Sequence, residues 1–317
     1  MSLSVYADRF RRLNVNLAGG RTSPHKICML LALLDLVRSG ALVHNRIEFA
    51  PPLLERYHLY FRAVRTARDH PNPHFPFFHL QGRLRGGIPG FWHLQPRAGR
   101  EVVLEAMVSA RSPRQITDNV AYAWLDPALF ELLQDAAAVE ALAAVLAETW
   151  FGRGLEDLAA VAGRATEISR YENMLRNPPA TPARAAEETP DYIRDPAFRR
   201  VVTQVYDYRC AASGLRMVLP DGSALVEAAH IHPFREAGDD DPRNGVALTP
   251  DLHWAMDRNL IAPDTDFRWR VSPVLDRRIA DQRFLTELEG RPLILPREAR
   301  MYPRRDAIEW RLAQLLR

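Results

Sequence analysis

The sequence predicts an α+β protein in two domains: an N-terminal mixed α/β domain over residues 1–165, a linker at 166–190 and a C-terminal domain over 191–317. Three observations carry that expectation. A chain of 317 residues with 47% hydrophobic content holds enough apolar material for two ordinary cores. The stretch NPPATPARAAEETP, residues 177–190, is rich in Pro and Ala and has no large apolar side chain, so it reads as an extended tether. Between residues 225 and 257, short apolar runs alternate with a polar loop in the order strand, loop, strand, helix.

The elements follow in chain order. Ser23-Pro24 opens an apolar helix over His25 to Arg38, which Ser39-Gly40 stops. NPHFPFFHL (Asn72 to Leu80) and GFWHL (Gly90 to Leu94) are rich in aromatics. Core packing accounts for Phe77, Leu80 and Phe91, whereas Phe75-Pro76 sits in an acid-free, proline-bounded loop that is harder to bury throughout. Leu132 to Trp150 is an Ala- and Leu-rich helix that closes the first domain. Phe198, Val201, Val202, Val205 and Tyr206 have helical spacing and lead the second domain. Arg199 and Arg200 should be exposed on that helix, equally suited to a phosphate or to solvent. After the Pro220-Asp221-Gly222 turn, Leu225 to His230 is a strand. The loop His232 to Arg243, with Gly238, three successive aspartates and Pro242, has a composition that cannot pack a core and should be exposed. Val246 to Leu248 is a second strand. Thr249-Pro250-Asp251 then starts a helix with a hydroxyl cap, proline at the first position and an acid in the first turn. His253 and Asp257, four apart, share one face of it. Residues 306–316 form a short amphipathic closing helix, and no internal repeat is present.

Composition bounds the function. A net charge of +3 does not by itself point to nucleic acid. Its arrangement does: residues 70–100 contain no Asp or Glu yet hold Arg83, Arg85, Arg97, Arg100 and four histidines, a local field suited to phosphates. Lys26 is the only lysine; every other member of the 42 Lys and Arg residues is arginine, so a compact ammonium at 26 is a candidate binding group. No signal peptide opens the chain, and no apolar run reaches the roughly 18 residues of a membrane span, so a cytoplasmic protein is expected. Cys28 and Cys210 lie far apart and suit a reducing compartment. Without a CxxC pair the chain lacks the roughly four paired ligands of a zinc knuckle.

His230, Asn244 and His253 fall at a spacing that would gather a base, an orienting amide and a metal ligand around one phosphate. On these residues, with the Asn244-Gly245 and Leu248-Thr249-Pro250 steps between them, the segment from about Pro196 to Val274 resembles the HNH, or ββα-metal, endonucleases. The resemblance implies that His230 is the general base, a task suited to neutral imidazole with its ordinary pKa of about 6.5. It implies further that Asn244 holds the loop and base in place and that His253 binds the metal. Asp257 sits where related nucleases carry another histidine ligand, and a carboxylate there is compatible with Mg²⁺ or Mn²⁺. Many family members have Asp or His just before the base; here it is Ala229, and Glu227, two residues back on the same strand face, is the candidate to reach the ion.

Roughly residues 10–150, through PHKICMLLALLDL, NPHFPFFHL and GFWHL, resemble the sulfur-binding domain of McrA-type, phosphorothioate-dependent restriction endonucleases, in which that domain is joined to an HNH module. The resemblance implies a shallow apolar pocket lined by Phe75, Pro76 and His79, with His25 and Lys26 nearby; Arg97 and Arg100, from the acid-free stretch, are candidate cations for the DNA backbone. Phenylalanine stands at 75 where tyrosine is more usual. The expectation is therefore an N-terminal DNA-reader domain and a C-terminal nuclease that together form a metal-dependent endonuclease for phosphorothioate double-stranded DNA, with homodimerisation left open. Two alternatives are the same nuclease reading methylated or otherwise modified bases, and a DNA-binding regulator with a silenced nuclease fold.

Overall fold

The computed structural model describes residues 2–18, 21–67, 69–177 and 189–317. Its contacts fall into two compact units, one over Met1–Arg170 and one over Tyr171–Arg317, apart from the turn Pro220–Gly222. Among the described residues no helix is long and apolar enough to cross a membrane.

The first unit is mainly helical. Helix α1 (Leu3–Arg11) is followed by the short hairpin β1 (Leu17–Ala18) and β2 (Arg21–Thr22), then by α2 (His25–Arg38), α3 (Pro51–Val64) and α4 (His74–His79). Antiparallel β3 (Trp92–Pro96) and β4 (Val120–Leu125) enclose α5 (Glu101–Ala106) and α6 (Pro113–Asn119) in sequence. Helices α7 (Pro127–Leu132), α8 (Ala136–Leu146) and α9 (Leu158–Arg176) follow, and the last turns of α9, from Tyr171, belong to the second unit. Helix α2 is the axis of the core: every residue from Ile27 to Leu36 is buried, as expected of a helix apolar on all sides. Its one interior acid, Asp35, accepts hydrogen bonds from the Tyr60 hydroxyl and from Arg38, so the buried charge is paired. Phe77, Leu80 and Phe91 lie in the same core, while Phe75 is 37% exposed.

Two expectations need correction here. The helix expected over 132–150 is divided: Asp135 breaks it by accepting from the Ala137 N–H as a side-chain cap of α8, and residues Ala147–Phe151 widen into a π turn. Residues 166–176, expected in the linker, continue α9, because Ile168, Tyr171 and Leu175 repeat at helical spacing and are buried. Most of the 177–190 tether lies outside the described residues.

The second unit runs α10 (Asp191–Val205), β5 (Glu227–His230), α11 (Phe234–Ala237), β6 (Gly245–Leu248), α12 (Pro250–Asp257), β7 (Ile261–Pro263), β8 (Trp269–Val271), α13 (Arg283–Thr286) and α14 (Arg305–Ala313). Strands β5 and β6 pair antiparallel, with Glu227 opposite Leu248 and His230 opposite Gly245. Helices α10 and α12 both pack on this hairpin. Gly245 is required by the approach of α10: a Cβ there would lie 2.7 Å from Val202 and 2.8 Å from Phe198. Thr249 caps α12 without the expected hydroxyl bond; its Oγ1 lies 4.0 Å from the Cys210 sulfur, and Pro250 at the first position supplies the helical start. Both cysteines are buried free thiols.

Every buried apolar residue of the α2-centred core falls between Tyr6 and Ala165. Residues 1–165 expressed alone should therefore fold, showing a cooperative thermal transition and dispersed NMR signals. A molten or insoluble fragment would place the boundary elsewhere.

Candidate functional site

The hairpin and α12 form the walls of a cleft of about 980 Å³ in the second unit, lined by Glu227, His230, His253 and Asp257 together with Trp254 and Arg258. His230 ends β5, and its ring stacks on Phe198 of α10 at 3.9 Å between centroids and 1° between planes. Its Nε2 lies 2.9 Å from Oδ1 of Asp240. Asn244 is fully buried and uses its whole amide: Oδ1 accepts from the His232 N–H, and Nδ2 donates to the carbonyls of His232 and Asp239. It clamps both ends of the loop that follows His230, as a short amide with two donors and an acceptor can. The hairpin side of the cleft is tied to α12 by Arg311 of α14. Its guanidinium is almost wholly buried and donates to the carbonyls of His230, Ile231 and Met256 and to Oδ1 of Asn259.

The loop 232–243 is not the exposed segment its composition suggests. Asp240 and Asp241 are buried and Asp239 is largely so, because each carboxylate meets a guanidinium. Arg304 bonds Asp239 at 2.7 Å, Arg194 bonds Asp240 at 2.9 Å, and Arg243 holds Asp241. Arg200 likewise leaves the exposed face expected for it and bonds the buried Glu172 at 2.8 Å, while Arg199 stays exposed at the rim of the cleft. The pairings of Asp239, Asp240 and Glu172 were not legible beforehand, since their arginines come from α10 and from just before α14. The aromatic Trp254, 55% exposed beside Arg258, was also missed.

His253 carries a carboxylate on each ring nitrogen: Glu227 Oε2 at 2.9 Å from Nδ1 and Asp257 Oδ2 at 3.5 Å from Nε2. Among the described residues no group of three or more His, Cys, Asp or Glu side chains is placed to hold a metal ion. The expected trio of Glu227, His253 and Asp257 is thus adjacent but does not converge, because the imidazole stands between the two acids. Ala229 is fully buried, so the position before the base faces the core. The donor chemistry, two carboxylates and an imidazole, still suits a hard divalent ion at Nε2 and Asp257, with Glu227 fixing the ring through its other nitrogen.

A separate pocket of about 620 Å³ lies in the first unit, lined among others by His25, Lys26, Phe75, Pro76, His79 and Arg83. It forms where the N-terminus of α2 meets α4. Both nitrogens of His25 are engaged, Nδ1 with the Ser23 hydroxyl at 3.1 Å and Nε2 with the His70 carbonyl at 3.1 Å, so the pocket meets its ring. Ser23 therefore serves this ring and makes no side-chain cap for the helix. His79 bonds Ser109 through Nε2 and stacks against Phe75. Burial holds the pKa values of His25, His74 and His79 below the ordinary imidazole value. Burial also lowers that of Lys26, whose Nζ donates to the Asn14 carbonyl. The two histidines that line the pocket, His25 and His79, are thus held toward the neutral form beside Lys26 and Arg83. Arg97 and Arg100 are exposed and do not line it; Arg97 donates to the Thr117 carbonyl. Arg83, which lies at its edge, is the cation that the sequence did not single out for this pocket.

Comparison with known proteins agrees with the cleft. The HNH endonuclease family matches residues 210–262, which span β5, β6 and α12, so the second unit contains an HNH endonuclease domain. A solved structure, a modification dependent TagI restriction endonuclease, is similar at 21% identity and a TM-score of 0.32, over 40% of each chain. No curated protein matches.

The buried imidazoles make the first unit acid-sensitive. Their folded pKa values lie below the unfolded value of about 6.5, so the unfolded chain takes up protons first. Stability is full above about pH 6.5 and falls as pH drops from there toward the folded values. The thermal midpoint of residues 1–165 should decline between about pH 7 and pH 5.5. A flat midpoint over that window contradicts the buried neutral rings.

Proposed function

We propose that this chain is a modification-dependent DNA endonuclease: the first unit binds phosphorothioate double-stranded DNA and the HNH domain hydrolyses phosphodiester bonds. The observation that carries the reading is the pocket that gathers Phe75, Pro76, His79, His25 and Lys26 from two separate segments. Its wall is aromatic ring, proline ring and uncharged imidazole. Sulfur is larger and more weakly hydrated than the phosphate oxygen it replaces, so such a wall favours it, whereas an oxygen would lose solvation there without a matching donor. Lys26 and Arg83 remain to attract the surrounding phosphates.

In the cleft, His230 removes a proton from water as its oxygen bonds to phosphorus and the bond to O3′ breaks. The leaving oxygen takes a proton from solvent, giving 5′-phosphate and 3′-hydroxyl ends. Asn244 keeps the loop beside the base in register. His253 and Asp257 are the residues that would hold Mg²⁺ or Mn²⁺, with Glu227 orienting the ring. When bound, such an ion supplies charge stabilisation at the phosphate. Arg199, Arg235 and Arg258 at the cleft rim suit the DNA backbone.

Matched duplexes with and without a single phosphorothioate, offered in several base contexts with Mg²⁺ or Mn²⁺, provide the test. The wild-type protein should bind and cut the sulfur-containing duplex in preference. Pro76→Ser should reduce that preference while leaving the salt-dependent background affinity in place, because the background comes from phosphate contacts and counterion release. Equal wild-type binding to both duplexes removes the sulfur reading, and selective cutting of a methylated duplex instead transfers the pocket to a modified base.

His230→Ala should lower the cleavage rate by about 10² to 10⁴ with DNA affinity nearly unchanged, since the base serves only the chemical step. Undiminished cutting by a folded variant excludes His230 from the mechanism.

A further inference from the structure

We propose that Asp240 is the positioning residue of the cleft: it fixes His230 as the tautomer with hydrogen on Nε2, which leaves the Nδ1 lone pair to accept the proton of the attacking water. This rests on the nuclease reading of His230 given above.

Asp240 is only 4% exposed, and three donor-bearing side chains converge on it. Arg194 Nη1 lies 3.1 Å from Oδ1 and 2.9 Å from Oδ2, the Tyr171 hydroxyl lies 3.5 Å from Oδ2, and His230 Nε2 lies 2.9 Å from Oδ1. A carboxylate beside a guanidinium stays ionised and can only accept, so the nitrogen facing it must carry the hydrogen. Neutral imidazole has one such hydrogen, and Nδ1 is then the acceptor. Among the described residues no group hydrogen-bonds Nδ1. The ring cannot readily turn to exchange its nitrogens, because it lies flat on Phe198 at 3.9 Å. Arg194 is held in turn by Asp191 and Asp195 and lies over the Phe234 ring at 3.4 Å. The base is thus oriented by a carboxylate that is itself clamped from α10.

The geometry makes an amide at 240 more damaging than its size suggests. The shorter Arg194 bond and the Tyr171 hydroxyl both fall on Oδ2, so Asp240→Asn would place its oxygen there and turn its NH₂ toward His230. Nε2 would have to accept, the hydrogen would move to Nδ1, and the lone pair would be withdrawn from the cleft. In the Ser-His-Asp triad, a wrong tautomer held in an intact site costs about 10⁴ in rate.

The experiment measures the ¹⁵N shifts of the His230 ring in the full chain, together with single-turnover cleavage and duplex affinity, for the wild type and Asp240→Asn. The expected result is hydrogen on Nε2 in the wild type and on Nδ1 in the variant, with cleavage reduced about 10³- to 10⁴-fold at unchanged duplex affinity. A wild-type ring with its hydrogen on Nδ1 overturns the proposal, as does a variant that cuts at the wild-type rate. Should the variant fail to fold, the wild-type ring measurement decides alone. A wild-type protein that cuts no DNA overturns the nuclease reading, whereas a cutting wild type with hydrogen on Nδ1 overturns only the role of Asp240.

Discussion

Three consecutive carboxylates turned inward are the constraint on which the nuclease unit depends. Burying an unpaired carboxylate costs far more than a loop can recover from packing, so residues 239–241 stay folded because arginines meet them. Arg194 reaches in from α10 and Arg304 from just before α14, while Arg243 closes locally. The loop is therefore a junction between the two flanking helices and the hairpin. Asn244 completes it by spending its amide on the backbone at both ends. The order of His230 follows from this packing, since its ring lies between Phe198 and a carboxylate that belongs to the same ionic set.

The two units solve opposite electrostatic problems. In the cleft, charge is abundant and is organised by pairing: His253 between Glu227 and Asp257, His230 on Asp240. In the first unit's pocket, the imidazoles meet neutral partners instead. His25 has both nitrogens satisfied by the Ser23 hydroxyl and the His70 carbonyl, and His79 bonds the Ser109 hydroxyl. Histidine serves as a polar donor and acceptor in one place and as an aromatic wall in the other, a range that its near-neutral pKa permits.

What could be read from sequence was local. The α2 helix has the bounds its Ser-Pro start and Ser-Gly stop imply, and the strand, loop, strand, helix order around His230, Asn244 and His253 lies in its expected place. Gly245 is a partial case. The Asn-Gly step was visible, but its physical reason, the approach of Val202 and Phe198, appears only once α10 is docked. The misreadings concern partners distant in sequence. A run of aspartates between Gly238 and Pro242 reads as solvent-exposed under any composition rule, because the guanidiniums that meet Asp240 and Asp239 lie 46 positions before and 65 after them. Arg200 was misjudged for the same reason, its partner Glu172 being on another helix. Glu227 and Asp257 were foreseen near His253. That the ring would stand between them depends on a rotamer, which spacing does not determine.

Arg311 has a temporal consequence. The strand that ends in His230 and the helix that carries His253 are joined through backbone carbonyls gripped by a side chain from a helix encoded later than either. On a ribosome, residues of the first unit emerge first, then the hairpin and α12, and only afterwards the segment that fastens them. The nascent chain can acquire the first unit's pocket well before the cleft of the second unit is rigid. Translation order alone thus delays the assembly of the cleft until Arg311 has been made.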